Sequence, residues 1–552
     1  RAFVSSGTGV QVVDLTDPSA PTFVSTVAPA TVAAANGVTS NDVSSVSVRK
    51  GTGGGFSVLA AAVINSPKAT AGHVVFLRAD TLELLGVVQV GVVPDHVTFT
   101  PDGTKVLVAN EGELDGTAAT IPDTAAGTVS IIDVSGGFGT PSVVTAGFGA
   151  WDGAANVAAL REAGVRIFAN GVPSTDFEPE YIAVSPDGTK AFVTLQEANA
   201  IGILDLASGT FTNVVALGKK DFSTGRHDFS DRDGAGATTL VNLTTGNPVK
   251  GLYMPDGVAA FSAGGQTYYV IANEGDDRND FLNPDETTTV GNAAYDLDNT
   301  RFPNEAALKA NSVLGRLVVS NASGLRGDTD GDGDVDEILS YGGRSFSILD
   351  STGKMVFDSG DMIEVIVSTQ FASSFDDLRS DNKGPEPEGV TVSVIGGRPY
   401  AFVGLERSSL VLVFDVSNPL QPIFVSGLKR TGDTSPEGLV VVSAADAPGG
   451  KPLLLTANEV SNTLTVFELA EQNVVFIGNG YVSEGDSGTK VLNLPVSRTG
   501  TGTSFSVDYA VTGGTATLGT DYILANGTLT FTEVAGDVQN IVITLNGDTT
   551  VE

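Results

Sequence analysis

Five short segments of this chain repeat one arrangement: a proline, an acid, a small or aromatic residue, and an aliphatic residue that opens an apolar run. They are Pro94-Asp95-His96-Val97, Pro179-Glu180-Tyr181-Ile182, Pro255-Asp256-Gly257-Val258, Pro387-Glu388-Gly389-Val390 and Pro436-Glu437-Gly438-Leu439. After each come alternating apolar residues, a turn, and a second apolar run ending in another acid: Glu111, Glu197, Glu274, Glu406 or Glu459. If the two runs are antiparallel strands, the start of one and the end of the next share a sheet edge. The ten acids are then aimed at one face, with Asp95, Glu180, Asp256, Glu388 and Glu437 nearer the centre. Crowded carboxylates raise one another's pKa unless cations intervene. The arrangement predicts either a calcium cluster able to hold a phosphate or other anion, or acids that cap N–H groups of neighbouring strands.

A second acidic motif is Asp328-Thr329-Asp330-Gly331-Asp332-Gly333-Asp334-Val335-Asp336-Glu337. It puts oxygen ligands at alternate positions and glycine at position 6, where a calcium loop turns sharply. Leu339 stands where such a loop has its closing glutamate, so Glu337 or a distant acid must complete the shell. A solvated acidic loop is the alternative. His96 either contacts an anion or caps a strand end, and His227 is equally open. Lys383 and Arg407 sit close in sequence to Glu388 and Glu406, as phosphate holders or as salt-bridge partners. Neither a Ser-His-Asp nor a Gly-x-Ser-x-Gly pattern is evident.

The elements that must position these acids are short strands. Pro101-Asp102-Gly103 and Pro186-Asp187-Gly188 are turn signals between the first two runs, and third runs end in Asp133, Asp205, Asp415 and Glu468. That approaches the strand count of a propeller blade. The long gap between Asp256 and Glu388 is expected to hold a degenerate blade built on Ser345-Phe346-Ser347-Ile348-Leu349-Asp350. Residues 43–48, 58–64 and 74–77 make an early blade lacking the acids. The total is a seven-bladed β-propeller, with 2–4 and 10–15 completing the last blade by pairing with the other end of the chain. Long insertions at 136–173, 218–251 and 275–316 are where a rigid scaffold carries specificity, and 155–164 and 303–310 have helical periodicity. From Glu471 a different alternation predicts a β-sandwich that is incomplete at Glu552, giving domains 1–470 and 471–552.

Composition narrows the functions. With 30 Lys+Arg against 65 Asp+Glu, a net charge of -35 repels phosphate backbones and anionic membranes, which argues against nucleic acid. With Cys 0 and His 3, thiolate and imidazole sites are disfavoured and hard oxygen ligands favour calcium. No apolar run reaches the length of a membrane span. The start at Arg1, directly on a strand-like run, reads as a mature or trimmed fragment. An acidic, cysteine-free chain rich in Gly and Asp suggests a bacterial protein exported to the cell surface.

Residues 10–21, the Pro-acid repeats, the Asp328 loop followed by Gly343-Arg344-Ser345-Phe346-Ser347, and Pro385-Glu386-Pro387-Glu388-Gly389-Val390 together resemble the choice-of-anchor I bacterial surface domain over about residues 1 to 470. That family is described as alkaline-phosphatase-like and looks like a distant relative of calcium-dependent propeller phosphatases and phytases. The resemblance implies phosphoester hydrolysis. Val482-Ser483-Glu484-Gly485-Asp486, Gly514-Thr515-Ala516-Thr517, Asp521-Tyr522 and Gly527-Thr528-Leu529-Thr530-Phe531 resemble a Calx-β domain, which implies calcium ligands at Glu484, Asp486, Asp521, Asp548 and Glu552. The function is then a calcium-dependent phosphoesterase. The alternative is a non-catalytic surface-layer, filament or matrix protein that self-assembles. Binding of carbohydrate or polyphosphate without hydrolysis is a third reading.

Overall fold

The computed structural model describes residues 1–40, 42–51, 55–112, 125–278, 286–469, 475–478, 482, 485, 487–498, 504–513, 516–532 and 537–548. Among these, residues 2–468 form seven antiparallel sheets that follow one another along the chain, with one further sheet inserted. The first (Ala2–Ser6, Gly9–Asp14, Thr22–Val27) and the seventh (Pro436–Val442, Leu453–Asn458, Thr463–Glu468) have three strands. The second to sixth have four, beginning at Val46–Arg49, Pro94–Phe99, Pro179–Val184, Val258–Ala263 and Pro387–Ile395.

Each sheet packs face to face on the next. Ala60 and Phe76 of the second meet Val97 and Val106 of the third, and Leu107 and Ile131 meet Ile182 and Val193 of the fourth. Phe192 and Ile201 meet Tyr269 and Ile271 of the fifth, Val270 and Ile348 meet Ala401 and Leu412 of the sixth, and Phe402 and Val411 meet Leu439 and Leu454 of the seventh. The seventh turns Leu453 and Leu455 onto Ala2 and Val13 of the first, which in turn packs Val10 and Val27 on Leu59 and Val75 of the second. The series therefore closes on itself in a β-propeller-like ring. Central strands covered on both faces read as continuous apolar runs, and Val58–Val63 is buried at every position.

Two expectations are corrected. Ser345–Asp350 is not a separate degenerate unit: it pairs with Gln266–Asn273 as the third strand of the fifth sheet. An insertion divides that sheet in sequence, which hid the pairing. The opening residues pair with Gly9–Asp14 in their own sheet and not with the last one. Their sequence explains this, because Ala2-Phe3-Val4 through Pro21-Thr22-Phe23-Val24-Ser25 parallels Ala401-Phe402-Val403 through Pro422-Ile423-Phe424-Val425-Ser426 of the sixth sheet.

The inserted sheet runs Lys219–Asp221, Val249–Leu252, Ile338–Tyr341, Val318–Ser320, Thr287–Thr289, with the second and third parallel, around Phe222, Phe229, Tyr295 and Leu317. Helices cover Ala154–Ala163, Glu305–Leu308 and Met362–Gln370. In the tail, a four-stranded and a two-stranded sheet pack around Val496, Phe531 and Ile541. Among the described residues, no helix is long and apolar enough to cross a membrane.

Candidate functional site

In four of the five copies the repeated proline is the first paired residue of its sheet, and its partner is Asn110, Leu195, Leu405 or Asn458, whereas the fifth sheet starts pairing at Val258. Just after it the register shifts in all four pairs, so a bulge re-aims the acid that follows the proline. The residue before the proline is left-handed at Val93, Met254, Glu386 and Ser435, with φ of 49°, 45°, 50° and 57°. A β-branched Val93 in that region is strained, and strain repeated at one sheet edge is what binding sites store. Glycine follows the acid where the next strand passes too close for a side chain. A Cβ on Gly257 would lie 2.5 Å from the Glu388 carbonyl oxygen, and one on Gly389 2.3 Å from that of Glu437. Where the glycine is absent, His96 and Tyr181 stack with ring centroids 3.8 Å apart.

The acids face one another. Burial, then Glu111, Glu197, Asp95 and Asp256, hold the Glu180 carboxyl well above the usual carboxylate range. Burial, then Glu274, Asp95 and Glu437, do the same to Asp256, and burial with Glu274, Asp256, Glu406 and Glu437 to Glu388. Burial, Glu459 and Asp42 raise Glu437. These couplings link six successive sheets, because Asp42 lies at the start of the second. That sheet, expected to lack an acid, supplies one. Tyr181 was also missed: burial and then Asp256, Asp95, Glu437 and Glu388 push its hydroxyl upward, so it faces the four inner acids.

Register further separates Glu197 from the other outer acids. The residue after the proline's partner is Glu111, Glu406 or Glu459 in three sheets and Gln196 in the fourth. Gln196 Nε2 donates to Glu274 Oε2 at 2.9 Å. Glu197 stands one residue on, where its charge still reaches Glu180.

One tight group of acids contains a residue, Glu386, to which the sequence assigned no role. Carboxylate oxygens of Glu274, Glu386 and Glu406 lie within 4.8 Å of one another. Burial, Asp276 and Glu386 push Glu274 up to about 8 against the pull of Lys383, and burial with Glu386 and Glu459 pushes Glu406 up to about 7 against Arg407. Fully buried Glu386 accepts from Arg379 Nε at 2.7 Å and Arg407 Nε at 3.0 Å. Its signal was the doubled Pro385-Glu386-Pro387-Glu388. Lys383 Nζ lies 2.7 Å from Asp276, and Arg407 also pairs with Glu406 at 2.9 Å, so both candidate phosphate holders are in salt bridges. His96 Nδ1 accepts from the Ile182 N–H at 3.3 Å, and burial drives the imidazole down to about 3. The ring is therefore neutral, with its proton on Nε2.

Residues 1–419 match the choice-of-anchor I domain. The chain belongs to the choice-of-anchor I family. Gigasin-3a of Magallana gigas is 31% identical over 196 residues, which cover 30% of this chain and 67% of that protein. Among solved structures, the fold is similar to Kuenenia stuttgartiensis hydrazine synthase (TM-score 0.42, 13% identity, 84% of this chain and 90% of that one). It is also similar to the periplasmic gluconolactonase PpgL of Pseudomonas aeruginosa (TM-score 0.39, 15% identity, 85% and 91%).

Outside the ring, the acidic loop of this choice-of-anchor I chain splits into two groups, Asp328 with Asp330 and Asp332, and Asp334 and Asp336 with Asp298. Asp298, distant in sequence, joins the second of these groups and not the first. Glu337 turns away to pair with Lys219. Asp328 accepts from Gly331 N–H at 2.7 Å and Gly333 N–H at 3.1 Å, and Asp336 from Thr329 N–H at 2.6 Å. Desolvation, then Asp332, Asp298 and Asp336, push Asp334 up to about 6. In the tail, buried Asp521 accepts from the Thr517 N–H, and its carbonyl accepts from Asn546 N–H at 2.8 Å. Asp548 has no part in those two bonds, and Glu484, Asp486 and Glu552 lie outside the described residues.

Proposed function

We propose that this chain is an exported cell-surface β-propeller of seven blades whose axial carboxylate ring holds calcium and serves metal-dependent phosphomonoester hydrolysis. The ring carries the reading: acids from six sheets crowd one another, and Glu388 Oε2 is buried without a hydrogen-bond partner among the described residues. An all-carboxylate donor set suits a hard cation. Asp95, Glu180, Asp256, Glu388 and Glu437 would hold calcium from the inner circle, and Glu274 and Glu406 from the outer one, while Arg379 and Arg407 fix Glu386 between them. When bound, calcium supplies polarisation of a phosphoryl oxygen and a lowered pKa for bound water. The same ion is proposed for the Asp328 loop with Asp298, and for a Calx-β-like tail.

The test is metal analysis of purified protein followed by turnover of a generic phosphomonoester. The expected result is calcium bound in more than one equivalent, with turnover abolished by chelation and by Glu388→Gln. Equal activity of Glu388→Gln sinks the catalytic reading. A second reading, a non-catalytic surface component, is favoured by the ion pairs that already occupy Lys383 and Arg407. Calcium binding with no turnover across a phosphoester panel selects it.

A further inference from the structure

Two loops meet beside the ring through acids that the ring does not use. Residues 226–233 belong to the insertion, and 376–384 lead from the helix Met362–Gln370 to Glu386. The carboxyls of Asp228 and Asp377 are close enough to interact with each other. One stretch holds both: Asn242 N–H donates to Asp228 at 2.6 Å and Leu240 N–H to Asp377 at 2.9 Å. A second pair follows, Asp231 and Asp381, which interact across one arginine. Arg316 lies between them, with Nε 2.7 Å from Asp231 and its terminal nitrogen 2.8 Å from Asp381. Arg344 completes the junction by donating to the carbonyls of Asp228, Ser380 and Asn382. All four acids are buried. Two carboxyls in buried contact favour sharing a proton where no cation lies between them.

We propose that the Asp228–Asp377 and Asp231–Asp381 pairs form a proton-dependent latch that holds 376–384 on the insertion, and so sets Arg379, Lys383 and Glu386 at the rim of the ring. The groups facing the first pair are Asp233, against both members, and Glu364, His227 and Arg344 from the helix and strand beneath. The second pair faces Arg316 and Arg232. Proton dependence falls mainly on the first, whose carboxyls are held by backbone N–H groups. Burial, then Asp377 and Asp233, push Asp228 up to about 7, and burial with Asp233 raises Asp377. A carboxyl raised in the closed form keeps a proton that the open form releases. The preference for closure is therefore full below the ordinary carboxylate pKa, falls tenfold per pH unit above it, and is lost once pH passes about 7.

The inference does not require a cation at the ring. The test is hydrogen exchange by mass spectrometry on the full chain with chelator present, at pH 5.5 and 8.5, corrected for intrinsic rates. Peptides spanning 226–244 and 374–384 are expected to lose at least tenfold protection at the higher pH, while strand Ala200–Asp205 keeps its own. Asp377→Asn, whose amide donates a hydrogen bond without a titrating proton, should retain protection at pH 8.5. Asp228→Asn provides the same reading should Asp377→Asn fold poorly by circular dichroism. Equal wild-type protection at both pH values, or an unchanged pH dependence in a folded variant, overturns the latch. Because no metal is added, neither result depends on whether the ring binds calcium.

Discussion

The ring acids are defined by what their neighbours do to them. Without a cation at neutral pH, Glu274, raised to about 8, is largely protonated and Glu406, raised to about 7, about half so. Both are raised above their unfolded values, so the native state holds protons that the unfolded chain releases. Their stabilisation is complete below the ordinary glutamate pKa and is lost as pH rises through about 7 to about 8. Urea denaturation of chelated protein should therefore show stability falling from pH 5 to pH 8, and calcium titrated at pH 7 should expel protons, seen as heats that change with buffer ionisation enthalpy. A pH-independent stability would remove the crowding argument. Gly389 makes a second residue-scale prediction, since the 2.3 Å approach to the Glu437 carbonyl leaves no room for a methyl group. Gly389→Ala should cost about 1–3 kcal/mol by chemical denaturation. A neutral Gly389→Ala would mean that the adjoining strands are free to part. The Pro-acid repeat was legible at this scale because its spacing is local. Asp42, Glu386 and Tyr181 were not: Asp42 lacks the proline, Glu386 precedes it, and Tyr181 matters only because acids from other sheets surround it.

At the scale of elements, three of the sheets brace the outer acid with the asparagine before it. Asn110, Asn273 and Asn458 send their amides to hydroxyls of the third strand: Asn110 to Thr128 and Ser130, Asn273 to Ser345 at 3.0 Å and Ser347 at 2.8 Å, and Asn458 to Thr463. Asp358 receives both serine hydroxyls from the far side, at 2.7 and 2.8 Å. Asn273 is fully buried, so Asn273→Leu removes the donor to two buried hydroxyls, which keep only Asp358, and should cost about 1–3 kcal/mol. A two-state melt with an unchanged midpoint would refute the brace. The same bonds show why the fifth sheet was misread. Alternation marked Ser345–Asp350 correctly as a strand, but only pairing with Gln266–Asn273 across the insertion reveals where it belongs. Periodicity reports an element's type and its buried face. It carries no information about a partner that an insertion has moved away in sequence.

Across the whole molecule, the seam where the ring's ends meet is less tightly packed than the interface between the third and fourth sheets. The seam between the seventh and first sheets rests on Ala2, Val13, Leu15, Ala447, Leu453 and Leu455, whereas the third and fourth sheets share Phe148, Phe177 and Phe211. Apolar burial scales with area, so small aliphatic side chains bind the seam less tightly than aromatic ones bind the interior interface. The acids add to this difference, because Asp42 of the second sheet repels Glu437 of the seventh across the seam's inner edge. A cation shared between those two carboxylates reverses the sign of that contact. Ligand that binds only the closed ring stabilises it by about 2.7 kcal/mol at a hundred times its Kd. Monovalent salt weakens the repulsion without bridging the acids. Amides of Ala2–Ser6 and Leu453–Asn458 are therefore expected to exchange faster than those of Lys190–Leu195 in chelated protein, and calcium should slow the seam selectively while sodium chloride slows it little. Asp42→Asn should raise seam protection without calcium and blunt its response to calcium, because it removes the repulsion together with a ligand. Seam exchange that ignores calcium, in a protein shown to bind it, would place the ion away from Asp42 and Glu437 and leave the closure to apolar packing.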